Sequence, residues 1–142
     1  MSAGRFQFKK LAKYPHMEAE DIITWEKFID AYPNAYTSID YDFALSKVEE
    51  ATKTASELNI AGAERTFKYR ADVIGYGNKE VHIIELKKKA TPGILGYLKA
   101  EKILYDRDEN TGPPAKMVVI AREATPDMDT FIEAAGISLI LV

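Results

Sequence analysis

In this 142-residue chain, Asp72, Glu85 and Lys87 are the residues whose types and spacing point to chemistry. They lie in two apolar stretches. One is Tyr69-Arg70-Ala71-Asp72-Val73-Ile74-Gly75, and the other is Val81-His82-Ile83-Ile84-Glu85-Leu86-Lys87. Side chains alternate along a strand, so Glu85 and Lys87 share one face while Ile84 and Leu86 point into core. Two carboxylates a few ångströms apart repel one another unless a cation sits between them. Magnesium meets that need and brings its own waters. Against a phosphate oxygen it polarises phosphorus and lowers the pKa of a coordinated water. A lysine two residues on can orient or deprotonate the attacking water, or neutralise the charge that develops. Glu-x-Lys is a common tripeptide, and its position is what singles it out here. Charged residues in an apolar strand are expensive unless they are exposed or functional.

The elements that must hold these residues can be read from periodicity. Ile22, Trp25, Ile29 and Tyr32 recur at helical spacing, predicting a helix over 17–32 that Pro33 and Asn34 stop. The run 36–43 alternates in polarity and predicts a strand. Residues 46–58 read as a weaker helix and 59–63 as loop. A hairpin follows, with strands over 66–76 and 80–88 joined by Gly75-Tyr76-Gly77-Asn78-Lys79. A turn around Gly77-Asn78 sets residue 72 across from residue 83 or so, which makes Asp72 diagonal to Glu85 on one sheet face. A slip of one residue would turn Asp72 to the other face.

Thr91-Pro92 opens the next helix, with Thr91 as cap, and Ile94, Leu98 and Tyr105 form its apolar stripe. The breaker Asn110-Thr111-Gly112-Pro113-Pro114 ends it. Met117–Ala121 is wholly apolar and reads as a strand buried on both faces. Thr125-Pro126 opens a last helix, Gly136 closes it, and residues 137–142 form a final strand. Helix-linked strands pair in parallel. The fold class expected is therefore α/β, a mixed central sheet with helices on both faces, in one domain over 1–142.

Composition narrows the chemistry. With no cysteine there is neither a disulfide framework nor a thiolate zinc site. Two histidines, His16 and His82, are too few for a histidine metal cluster. Any metal must take oxygen ligands, which selects a hard cation, Mg2+ or Mn2+. No apolar run reaches membrane-spanning length and no signal-peptide core opens the chain, so the expectation is a cytoplasmic protein without a membrane partner. The net charge of −3 is unevenly spread. Residues 1–13 carry four cations and no acid, and 18–50 carry nine acids against two lysines. Residues 1–16 read as a flexible basic arm or a frayed terminus.

The hairpin and its residues resemble the PD-(D/E)XK nuclease superfamily. Asp72 matches the first motif acid, and Glu85-Leu86-Lys87 matches the ExK motif. The element order around them is similar to the family's αβββαβ restriction-endonuclease-like core over residues 17–121. Small size, Trp25 in the first helix and Ile39-Asp40-Tyr41-Asp42 in the first strand look like compact phage-type members.

The resemblance implies magnesium-dependent endonucleolytic hydrolysis of DNA, with Asp72 and Glu85 as metal ligands and Lys87 as catalytic lysine. It also implies an acid from the first helix at the site, Glu20 or Asp21, whereas the apolar stripe favours Glu18 or Asp21 facing inward. The motif proline is replaced by Ala71. The family's Gln-x-x-x-Tyr pair is missing, Tyr97 and Glu101 standing at the corresponding places. Family habit, and the need for two sites to cut both strands of a duplex, suggest a homodimer or higher homo-oligomer.

Lys88, Lys89, Lys99 and Lys102 flank the motif and are candidates for DNA phosphate contact, or simply solvated charge. His82 reads as a packed histidine, and Asp40 and Asp42 as one polar strand face. The rival expectation is a nuclease-like fold serving as a structural or assembly protein of a phage particle, without cleavage. A phage-encoded chain would work in the host cytoplasm or the virion.

Overall fold

The computed structural model describes residues 4–45 and 69–142. The helix read over 46–58, the loop 59–63 and the first three residues of the hairpin strand lie outside the described residues. The elements are α1 (Ala19–Ala31), β1 (Ser38–Ala44), β2 (Arg70–Tyr76), β3 (Val81–Ala90), α2 (Ile94–Asp108), β4 (Lys116–Ala124), α3 (Met128–Ala135) and β5 (Ile137–Leu141). The sheet order is β1-β2-β3-β4-β5. The two pairings from β1 to β3 are antiparallel, and those from β3 to β5 are parallel. This is the mixed sheet that the element order demanded, and its first six elements run α-β-β-β-α-β.

Each face of the sheet is covered. On one face α1 buries Trp25, Phe28 and Ile29 against Ile39, Tyr41, Val73, Ile84, Leu86, Val118 and Ile120. Tyr32, expected in the stripe, is half exposed because the helix ends at Ala31 and its C-cap has left helical geometry. On the other face Ile94, Leu98 and Tyr105 of α2 join Met128 and Ile132 of α3 over Ile74, Ile83, Met117 and Val119. Ile83–Leu86 of β3 and Met117–Ala121 of β4 are therefore buried on both sides, which explains the unbroken apolar run of β4.

Both Thr-Pro pairs act as turns instead of caps. Neither α2 nor α3 has a side-chain cap; Ile94 N–H bonds the Thr91 carbonyl, and Met128 N–H bonds that of Thr125. Each helix starts three residues after its threonine. Gly136 closes α3 with φ 71°, the left-handed conformation that glycine adopts without a Cβ clash.

The basic segment that opens the chain is described from Gly4 onward and packs along the β1 edge. Phe6 and Ile39 exchange backbone hydrogen bonds of 2.9 and 2.8 Å. Phe8 meets Trp25, Phe28 and Tyr36 ring to ring, and Tyr14 is buried against Tyr41. Among the described residues no helix is long and apolar enough to cross a membrane.

Candidate active site

β2 and β3 form the floor of the site. Their ladder runs from Tyr76 opposite Val81 to Val73 opposite Ile84. The loop is Gly77–Glu80, closed by Gly77 N–H to the Glu80 carbonyl at 2.9 Å, with Lys79 at φ 66°. The turn is thus centred one residue later than the sequence suggested, and Asp72 comes level with Glu85 instead of diagonal to it. A turn shift of one moves the register by two, which leaves the face of each side chain unchanged.

At the acids the regular ladder gives way to side chains. Asp72 N–H donates to Glu85 Oε2 at 3.0 Å, and Leu86 N–H donates to Asp72 Oδ2 at 2.9 Å. Each carboxylate is held by the backbone of the opposite strand, and each keeps a second oxygen. The strands also change face here. Ala71 and Ile74 pack on the α2 side while Val73 packs on the α1 side, so β2 breaks alternation at Asp72. β1 breaks it beside this point, at Asp42, whose φ is 48°. Aspartate is among the few residues that tolerate this conformation.

The break opens a hollow of about 20 Å³, room for roughly one water, lined by Pro15, His16, Met17, Asp21, Asp42 and Asp72. Asp21 reaches the hollow, whereas Glu20 lies 3.1 Å from Arg122 and 3.6 Å from Lys88. Asp42 is clamped by Arg70 at 2.8 Å. Asp40, expected on the face of Asp42, is instead buried among Arg5 and Tyr76, because the turn of the backbone at Asp42 separates the two.

The acids are strongly perturbed. Burial, above all, raises Asp72 to about 6; the Leu86 N–H and Lys87 pull down, and Asp21 and Asp42 push up. Burial also leads in raising Glu85 to about 8, reinforced by the charge of Asp72 and opposed by the Asp72 N–H and by Lys87. Such shifts mark sites where like charges crowd in a dry place. Lys87 is exposed at the rim and makes no ion pair among the described residues. Lys89 and Lys99 are exposed as well, Lys88 faces Glu20, and Lys102 is paired with Asp106.

One residue at the site was passed over in the sequence as a departure from the family pattern. Glu101 is fully buried, its carboxyl turned towards those of Glu85 and Asp72. Burial, then Glu85 and Asp72, raise its pKa to about 10. Its near neighbour is the Glu85 carboxyl, with which it can share a proton, and among the described residues no cation or backbone N–H reaches its oxygens. The sequence did hold a signal. Ile94, Leu98 and Tyr105 define the buried stripe of α2, and position 101 falls within it at i+7 from Ile94. An acid inside an apolar stripe is costly unless something compensates it.

A divalent cation fits this donor set in kind: two strand carboxylates with one oxygen apiece to spare, and a third acid buried beside them. Among the described residues, however, no three of the acids and histidines converge on one point at ligand distance. His82 is elsewhere, its ring between the Tyr36 hydroxyl at 2.7 Å and Glu80 at 2.8 Å, a packed histidine as expected.

No protein-family model matches the chain, and no curated protein matches it. Among solved structures, the crystal structure of a repair endonuclease from Pyrococcus abyssi is similar, at 16% identity and a TM-score of 0.46. The match covers 68% of this chain but 46% of that one, so this chain corresponds to about half of its neighbour's length.

Proposed function

We propose that this protein is a divalent-cation-dependent endonuclease that hydrolyses DNA phosphodiester bonds, with Mg2+ or Mn2+ as cofactor. What carries the reading is one feature. Half-buried Asp72 and buried Glu85, on adjacent strands, are each held by a backbone N–H of the opposite strand, Glu85 by that of Asp72 and Asp72 by that of Leu86, with a lysine two residues along β3 that makes no ion pair among the described residues. Structural ion pairs neutralise buried acids; this arrangement concentrates them, and among the described residues no acid pairs with Lys87.

Asp72 and Glu85 would hold the ion through their remaining oxygens, and Asp21 lines the small hollow beside Asp72. When bound, the ion supplies charge neutralisation and polarises the phosphoryl group. The remaining work falls to the chain. The two backbone hydrogen bonds fix both carboxylates, so little reorganisation is needed when substrate arrives. Lys87 projects from the rim, where its ammonium can orient a water towards phosphorus and offset charge growing on the phosphoryl oxygens. Lys89 and Lys99, being exposed, are placed to meet flanking phosphates, with Lys88 joining if it leaves Glu20. Cutting both strands of a duplex would then need two copies, as in a homodimer.

The test is cleavage of supercoiled plasmid in MgCl2 or MnCl2. Nicked or linear product is expected, with none in EDTA. Lys87→Ala should lose activity by roughly a hundredfold or more while its circular dichroism and melting curve stay as in wild type. Full activity in that variant overturns the assigned role. No cleavage by wild type in either metal favours the non-catalytic assembly role instead.

A further inference from the structure

We propose that a second copy of this chain adds at the outer edge of β5, the two edges pairing antiparallel so that one sheet runs through both copies. This joint needs no cleavage chemistry, and it stands or falls apart from the functional reading above.

The sheet has two edges, and the chain treats them differently. β1 is shielded: Phe6 bridges to Ile39, and left-handed Asp42 turns the strand off its line. Covering segments, charges and local distortions of this kind keep sheet edges from pairing. β5 has none of them. Residues 137–142 hold no charge and no proline. Among the described residues no strand lies on the outer side of β5.

Val142 N–H donates to the Ala121 carbonyl at 2.9 Å. Backbone groups alternate in direction along a strand, so Ser138, Ile140 and Val142 address β4. The N–H and C=O groups of Ile137, Leu139 and Leu141 therefore point outward. These three, evenly spaced about Leu139, make a self-complementary set. In an antiparallel pair related by a two-fold axis, Leu139 meets its own copy and Ile137 meets Leu141 in both directions. Every outward donor then finds an acceptor.

The side chains suit this register. Leu141 is 55% exposed, and pairing sets it beside Ile137 of the second copy, with exposed Phe131 of α3 on its flank. On the α1 face, small Ser138 borders a hollow of about 200 Å³ that Phe28, Tyr32 and Ile140 also line. Pairing places Ser138 opposite Ile140 of the second copy, whose branched side chain then arrives at that hollow. A strand of another protein would use the backbone groups alone, whereas self-pairing also matches side chains on both faces.

Sedimentation equilibrium of the full chain across the micromolar range should show a monomer–dimer equilibrium. Leu141→Pro deletes an outward N–H and leaves the β4 ladder intact, and Leu141→Lys sets a charge in the joint. Each should weaken the dimer about tenfold or more, with unchanged circular dichroism. The chain has no cysteine, so Leu139→Cys reports the register directly. Paired residues of this kind lie about 5.5 Å apart between Cα atoms, within disulfide reach, and mild oxidation should give a covalent dimer. Lys79→Cys, at the β2–β3 turn, should stay monomeric under the same oxidation. Monomeric wild type throughout that range overturns the proposal and leaves the edge to a strand of another protein. A dimer that both Leu141 variants keep, and that Leu139→Cys does not cross-link, overturns it too and puts the joint elsewhere. Either result leaves plasmid cleavage to decide the functional reading, and a β5 dimer that cuts no DNA would end that reading alone.

Discussion

Asp72 and Glu85 are held in place by two hydrogen bonds and raised in pKa by burial, and the pH dependence of the fold follows. In the folded chain they keep protons up to about 6 and about 8, whereas ordinary aspartate and glutamate release them near 3.8 and 4.5. Between those limits the unfolded chain holds fewer protons than the folded one, so stability must fall as pH rises. Metal-free protein in EDTA should therefore melt lower at about pH 8 than at about pH 5, as differential scanning calorimetry would show. Mg2+, which favours the ionised pair, should raise the melting point more at the upper end of that range. Glu85→Gln should flatten the slope, since it removes one of the titrating groups. A metal-free melting point that climbs with pH across the window would show that the two acids are already ionised and compensated.

Hydrophobic period is a strong guide at the scale of elements, and it located every described helix and strand. Boundaries moved where local chemistry overrode it. Thr91 and Thr125 have the composition of caps, yet each makes a turn before its helix, because the proline that follows sets the backbone for the turn. Gly136 serves as expected. With φ at 71° it should tolerate no side chain cheaply, and Gly136→Ala should cost about 1 kcal/mol in urea denaturation. A loss near zero would mean that α3 frays before the chain unfolds. The stripe of α2 teaches a different lesson. Its three apolar members were visible by spacing, while Glu101 between them was set aside, since a helix wheel shows direction but not what lies opposite.

For the molecule as a whole, the N-terminal segment matters more than its charge suggests. Four cations in the first 13 residues read as a flexible basic arm or a frayed terminus. Phe6, Phe8 and Tyr14, interleaved among them, pack on the aromatic layer of α1 and β1. Deleting residues 1–9 would uncover the edge of Ile39 and the rings of Trp25 and Tyr36. By analogy with buried Phe→Ala changes, the loss should be about 3 kcal/mol or more by denaturant unfolding. A truncated chain as stable as wild type would show that the segment only rests on the surface.

The chain by itself determined the α/β class, the hairpin and the placement of Asp72 and Glu85 on neighbouring strands, because alternation and turn residues are local properties. The tertiary structure decided the rest. It brought Asp21 and not Glu20 to the hollow, since Arg122, distant in sequence, claims Glu20. It separated Asp40 from Asp42 through a left-handed residue that alternation does not foresee. It also turned Glu101 from a departure in a helix motif into a buried acid facing two others, because burial depends on what the remainder of the chain packs against it.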